Sequence, residues 1–214
     1  MSVPSTTPYS FRIHSSSSWQ RLEKLIESRT HKDSDKACID ERIWELFGES
    51  WAVMFTDLSG FSRQVKDYGI VHFLQTIYES HRLLVPCIDN HNGILLKLEG
   101  DSMMVIFKRP ERALQCALSM QQTLAAYNTD RDPVEQVLLS LGIGYGDVLK
   151  IGDDDVFGAQ VNAASKLGED TAGPREIMVT AELKAALPEL DDAVKFEPLD
   201  YTPPGAQSAF LVKY

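Results

Sequence analysis

Residues 51–61, WAVMFTDLSGF, open as a nearly continuous apolar run and close on a polar turn containing a glycine. Such a run reads as a buried strand that carries Asp57 at its C-terminal end, with Gly60 turning the chain into a helix. Downstream, Ile70, Leu74, Ile77, His81, Leu84, Val85 and Ile88 recur at spacings of three and four, which predicts a long helix ended by His91-Asn92-Gly93. Residues 94–98 and 103–107 predict two strands joined through Glu99-Gly100-Asp101-Ser102, a hairpin with Gly-Asp at its turn. Pro110 opens a helix that carries Ala113, Leu114, Ala117, Leu118 and Leu124 toward the core. Residues 137–144 and 148–151 predict a strand pair around Gly146-Asp147. Then come a helix from residue 161, a strand over 177–180, a short helix over 181–187, and an edge hairpin from 194–199 and 210–214 interrupted by Pro203-Pro204-Gly205. The order β-α-α-β-β-α-β predicts an α+β fold: a ferredoxin-like βαββαβ core with additional strands and helices, in which a mixed sheet carries its helices on one face.

Upstream, residues 1–18 are rich in Ser, Thr and Pro and read as a loose tail. Residues 19–49 read as a helical extension. Ser18 is the expected cap of a first helix with Trp19, Leu22, Leu25 and Ile26 on one face; Ile39, Ile43, Leu46 and Phe47 mark a second. The pair is expected to pack on the main domain, residues 50–214, or on a second subunit. No apolar run approaches the roughly 18 residues that cross a bilayer, and the N-terminus lacks a secretory pattern. Cys38, Cys87 and Cys116 are widely spaced and odd in number, as expected of reduced thiols in a cytoplasmic protein. The 214 residues carry a net charge of −10, which repels polyanions and argues against a nucleic-acid binder. A chain of this charge needs metal ions and a few local cations to receive a triphosphate.

Asp57 at a strand end and Asp101 in a hairpin turn can meet at one sheet edge, because the first and third elements of a βαββ unit are often neighbours. Two carboxylates that close repel unless a cation lies between them, and hard oxygen ligands favour Mg²⁺ or Mn²⁺. On spacing alone the plainer account is the stronger one: an aspartate capping a helix and an ordinary Gly-Asp turn. Likewise, Lys97 alone reads as an exposed strand lysine and Asp153-Asp154-Asp155 as a solvated acidic turn.

Three segments alter that balance. FTDLSGFS (55–62) resembles the first metal-binding segment of the class III adenylyl and guanylyl cyclases. KLEGD (97–101) resembles their hairpin, with a lysine four residues before the second metal aspartate. DVFGAQVNAASK (155–166) resembles a third segment, in which a base-reading residue lies seven before an asparagine and a basic residue four after it. The segments fall in family order and span about residues 51–180; one match is weak evidence and three in order are strong.

The resemblance implies the nucleotide-cyclase fold and a reaction that converts ATP to 3′,5′-cyclic AMP and pyrophosphate. It implies two divalent ions, Mg²⁺ or Mn²⁺, held by Asp57, Asp101 and the Leu58 carbonyl, and phosphates cradled by backbone N–H groups of Leu58, Ser59, Gly60 and Phe61. Lys97 and Asp155 would read the base: adenine offers an acceptor at N1 beside a donor at N6, complementary to a Lys–Asp pair. Asn162 would orient the ribose, and Lys166 would stabilise charge on the phosphorus. Family members usually carry arginine there, and lysine keeps the charge while losing the planar fork. A second departure is Tyr201-Thr-Pro-Pro-Gly205-Ala-Gln, which lacks the lysine many members direct at the β- and γ-phosphates and leaves Arg63 or another cation to take that role. The metal aspartates of one subunit and the base-reading residues of the other make one site in this family, so a head-to-tail homodimer is implied. The alternatives are a weak or silent nucleotide-binding regulatory homologue and a cyclase for another nucleotide such as GTP. Gly142-Ile-Gly144-Tyr-Gly146 ends a strand without entering a helix and is no dinucleotide fingerprint. The histidines show no metal-ligand spacing, and His72 and His81 read as surface or interface residues.

Overall fold

The computed structural model describes residues 16–59, 61–188 and 193–214, with residues 61–64 described by backbone only. Two helices lead: α1 (Ser17–Thr30) and α2 (Lys36–Phe47). Ser16, not Ser18, caps α1 by accepting from the Trp19 N–H, which puts Ser18 inside the first turn. Leu22, Ile43 and Phe47 bury against Ile151, so this extension packs on the domain itself. Arg29 and Asp40 tie the two helices together through a two-pronged ion pair.

The remaining elements follow in chain order. They are β1 (Gly48–Leu58), α3 (Phe61–Tyr68), α4 (Ile70–Asn90), β2 (Ile94–Glu99), β3 (Ser102–Phe107), α5 (Pro110–Asn128), β4 (Leu139–Ile151), β5 (Asp155–Phe157) and α6 (Ala159–Ser165). A π-helical turn (Lys166–Thr171), β6 (Ile177–Thr180), α7 (Ala181–Ala186), β7 (Lys195–Pro198) and β8 (Ala209–Lys213) complete the chain. The strands form one sheet in the order β2-β3-β1-β4-β6-β8-β7, with β5 paired to β4; β4 and β6 run parallel and the other pairs antiparallel. This is the expected α+β architecture.

Three further details differ from the sequence reading. First, β4 is one continuous strand where a strand pair was expected around Gly146-Asp147. Its pairing with β1 runs without a shift from Leu58↔Leu139 to Gly48↔Leu149, and that ladder keeps the chain extended through the glycine. Second, α4 buries Phe73, Thr76, Ser80, Leu84, Cys87 and Ile88, while Ile70 and Leu74 stay 52% and 56% exposed. The helix is rotated so that the Phe73 ring enters the core.

Third, helices lie on both faces of the sheet. Alternation along β1 sends Ala52, Met54 and Leu58 to the face covered by α4, α5 and Leu183 of α7, and sends Trp51 and Val53 to the other. There α6 and the π-helical turn press on β4, because Gly142 leaves room: a Cβ on it would stand 2.2 Å from the Ala164 carbonyl oxygen and 2.3 Å from the Gly168 nitrogen. Among the described residues no helix is long and apolar enough to cross a membrane. Cys87 and Cys116 are buried and Cys38 exposed, all free, and burial pushes the Cys116 thiol up to about 12.

Gly142→Ala cannot be absorbed by a side-chain shift, since both opposing atoms are backbone. It is expected to lower the melting temperature by about 5 °C or more. A thermal melt within about 1 °C of the parent protein would contradict the close approach.

Candidate active site

Asp57 stands near the end of β1 on the same face as Val53, toward α6 and the π-helical turn. Its strand end is fixed on both sides: Met103 N–H donates to the buried Thr56 hydroxyl at 3.2 Å, and the Ser140 hydroxyl donates to the Asp57 carbonyl at 3.2 Å. The next hairpin, β2 to β3, turns at Gly100, whose φ of 61° lies in the left-handed region glycine favours, and presents Asp101 beside Ser102. Asp57 feels the charge of Asp101. Burial first, then the charges of Asp101 and Glu169, push Asp57 up to about 6, against the Leu58 N–H that holds it down.

The backbone after Asp57 offers less to phosphates than expected. The Leu58 N–H serves the Asp57 carboxylate, and the Ser59 N–H donates to the Leu138 carbonyl at 2.9 Å. Gly60, and the side chains of Phe61 and Arg63, lie outside the described residues.

Lys97 and Asp155 come together from separate elements. Lys97 Nζ donates to Asp155 Oδ2 at 2.6 Å, and Asp155 Oδ1 accepts from the Val156 N–H at 2.8 Å. Their side chains are 37% and 12% exposed. The acidic turn therefore divides: Asp153 reaches back to Lys150 with its side chain 89% exposed, while Asp155 turns inward on β5. The pair lines a pocket of about 260 Å³, walled by Phe55, Met104, Val156 and Phe157. That size and mixed lining suit a planar heterocycle with a few fixed polar groups. The T-shaped contact of Trp19 on Phe157, with centroids 5.8 Å apart, brings α1 to the rim. Another cavity, about 310 Å³ beside α5 and Tyr214, contains none of the candidate residues.

Asn162 is exposed on α6, with its amide donating to the Pro204 carbonyl at 3.1 Å. The Lys166 N–H still closes an α-helical turn onto the Asn162 carbonyl, so the two side chains share a face. Lys166 Nζ lies 2.5 Å from Asp170 Oδ2, and this hydrogen bond, with the charge behind it, raises the lysine pKa. With side chains 45% and 56% exposed, the pair is a weak, exchangeable contact. The loop over 201–207 docks on α6 through carbonyls, Gly205 accepting from Gln160 and Pro204 from Asn162.

Glu169 was not singled out by its sequence position. It lines the same pocket and accepts from the Ser102 and Ser165 hydroxyls at 2.7 and 2.5 Å. Only the π-helical turn, which short-range periodicity does not announce, brings it beside Asp57. His72 and His91 contact the carbonyls of Val134 and Cys87. Burial pushes the His81 imidazole down, and the Gly100 backbone opposes it.

Among the described residues no cluster of three or more His, Cys, Asp or Glu is arranged to hold a metal ion. Asp57 and Asp101 form instead a two-carboxylate set that makes no ion pair among the described residues, and burial, then the charge of Asp101, raises the Asp57 pKa. Hard oxygen donors with uncompensated charge fit a divalent cation that takes its other ligands from phosphate and water.

Comparison with known proteins bears on the fold and the family. The family model described as the adenylate and guanylate cyclase catalytic domain matches residues 48–203. "Putative adenylate cyclase 3" of Rhizobium meliloti is 31% identical over 130 residues, covering 60% of this chain and 22% of the relative. The serine/threonine-protein kinase pkn2 of Myxococcus xanthus is 25% identical over 64% of this chain and 16% of its own length, so the chain spans about a fifth of these relatives. An adenylate/guanylate cyclase/hydrolase from Silicibacter pomeroyi superposes with a TM-score of 0.64 at 26% identity, covering 78% of this chain and 98% of that one. The guanylyl cyclase Cya2, 20% identical with a TM-score of 0.61 over 77% of this chain and 90% of its own, shares the fold.

An aspartate whose folded pKa is raised destabilises the fold once both states are ionised, and that cost is present above about pH 6. Asp57→Asn is therefore expected to raise the melting temperature of chelator-treated protein at neutral pH, by roughly 2–4 °C for each kcal/mol relieved. Mn²⁺ should stabilise the parent protein and leave the variant unmoved. A variant that melts below the parent in chelator would contradict the crowding of charge.

Proposed function

The chain belongs to the adenylate and guanylate cyclase catalytic domain family, and from that premise we propose that it is an adenylyl cyclase, converting ATP to 3′,5′-cyclic AMP and pyrophosphate in the cytoplasm. The observation that carries the choice of base is the Lys97–Asp155 pair at 2.6 Å in its apolar-walled pocket. A donor beside an acceptor matches adenine, whose N1 accepts and N6 donates. Guanine presents O6 and a protonated N1, and would leave one partner unsatisfied, which is costly in a partly buried site. Before base binds, the lysine and aspartate satisfy each other; on binding, each trades its partner for a base edge.

Asp57, the Leu58 carbonyl and Asp101 are the residues that would hold two divalent ions, Mg²⁺ or Mn²⁺. When bound, these ions neutralise phosphate charge and lower the pKa of the ribose 3′-hydroxyl. Asn162 orients the ribose so that the 3′-oxygen faces the α-phosphorus. That oxygen attacks in line, its proton passes to solvent, the new O–P bond closes the ring, and the bond to the β-phosphate bridging oxygen breaks to release pyrophosphate. Lys166, released from Asp170 by the incoming phosphate, places its charge on the pentavalent centre. We assign the metal-holding residues and the nucleotide-contacting residues of one site to opposite subunits of a head-to-tail homodimer, so each chain serves two sites.

A second reading, a nucleotide-binding regulatory homologue of low turnover, is favoured by two observations: Lys166 is tied to Asp170, and residues 201–207 hold no lysine to meet the terminal phosphates.

Incubation of the purified protein with each of ATP, GTP, CTP and UTP, in Mg²⁺ and in Mn²⁺, separates these readings. Cyclic AMP is the expected product; nucleotide bound with no cyclic product favours the second reading, and equal turnover of ATP and GTP removes the base assignment. Asp101→Ala should abolish turnover while the dimer persists in sedimentation. Lys166→Arg should raise turnover, by about ten-fold if the planar fork restores a two-pronged phosphate contact. Unchanged turnover would separate Lys166 from the phosphorus.

A further inference from the structure

Glu169 has no part in the chemistry just described, yet its carboxylate joins both halves of the chain's functional surface. One oxygen accepts from the Ser102 hydroxyl at 2.7 Å, immediately after Asp101 in the β2–β3 hairpin. The other accepts from the Ser165 hydroxyl at 2.5 Å, between Asn162 and Lys166. Ser102 Oγ also lies 3.0 Å from the Thr56 carbonyl, one residue before Asp57. A serine hydroxyl has one hydrogen, and the shorter, charge-assisted partner takes it. The π-helical turn makes the reach possible, with Gly168 lying against Gly142 and the Phe55 carbonyl.

We propose that Glu169 is a positioning residue: it clasps the turn that carries Asp101 to the turn that carries Asn162 and Lys166, and so sets the spacing of the two carboxylates that receive the divalent ions. This rests on the metal-holding role assigned above to Asp57 and Asp101. Without the clasp, Gly100-Asp101 is a two-residue hairpin tip free to swing, and Asp101 must be ordered at the expense of cation binding. Groups that orient metal-binding residues typically govern affinity by ten-fold or more, although they never touch the ion. The clasp also separates this role from plain charge. Glu169→Gln removes the charge but keeps an oxygen for one serine and an amide that can donate to the other, whereas Glu169→Ala removes both contacts.

The test is Mn²⁺ binding to the full chain without nucleotide, read from the paramagnetic resonance of the free ion, together with amide hydrogen exchange of residues 99–102. Glu169→Ala and Ser102→Ala are each expected to weaken Mn²⁺ binding about ten-fold and to speed exchange in the hairpin. The double variant should be no weaker than Glu169→Ala, since that substitution already removes the Ser102 contact. Glu169→Gln should lose about three-fold or less and keep the hairpin protected. If Glu169→Ala fails to fold, Ser102→Ala and Glu169→Gln carry the same comparison. Parent-like Mn²⁺ binding and exchange in Ser102→Ala and Glu169→Ala overturn the proposal, as does equal weakening by Gln and Ala, which would reduce Glu169 to its charge. Asp101→Ala is the reference: if it too binds Mn²⁺ like the parent, the metal assignment itself fails.

Discussion

Every residue of β1 is paired with β4, from Gly48↔Leu149 to Leu58↔Leu139, and the functional groups take their places from that ladder. The strand period is two, so a slip of one residue would turn Asp57 from the α6 side to the α4–α5 side of the sheet. There it would face Leu84, Leu114 and their neighbours, where a carboxylate has no partner. The same strand β4 receives α6 through Gly142, and at its other end pairs with β5 and so holds Asp155. One ladder thus fixes the strand end that carries Asp57, the helix that carries Asn162 and the position of Asp155. Register here is a functional quantity.

The two halves of the surface handle charge in opposite ways. Lys97 is matched by Asp155 and Lys166 by Asp170, so the half proposed to contact the nucleotide is neutralised within the chain and would bind by exchange of partners. Among the described residues Asp57 and Asp101 make no ion pair, and burial, then the charge of Asp101, holds the Asp57 pKa up. In a chain of net charge −10 this contrast favours the approach of cations to the Asp57 end of the surface.

Much of this was legible because it depends on short-range pattern. The apolar run 51–55 gave the strand, the Gly100-Asp101 tip gave the hairpin, and three segments in order gave the family. What was missed depends on contacts between distant residues. The continuity of β4 is imposed by β1 and not by its own Gly146-Asp147. The buried face of α4 is chosen by the fit of Phe73, although Ile70 and Leu74 have the same periodicity. Asp155 is picked out from Asp153 and Asp154 by its place seven before Asn162, but its contact with Lys97 depends on a residue 58 positions away in sequence. Glu169 is brought to Ser102 by a π-helical turn whose composition, Lys166-Leu-Gly168-Glu-Asp170-Thr171, does not distinguish it from an α-helix.

The strand β5 has three residues and three ladder pairs, too few to hold itself. Around it, the Trp19 ring meets Phe157 edge-on, and Leu22, Ile43 and Phe47 close over Ile151 at the point where β4 leads into β5. The β4–β5 hairpin and the leading helix pair are therefore one cooperative unit: neither can open to solvent without the other losing its cover. The local stability of the hairpin that carries Asp155 is contributed by a segment that contains no candidate site residue, and any force that displaces α1 reaches Asp155 before it reaches Asp57.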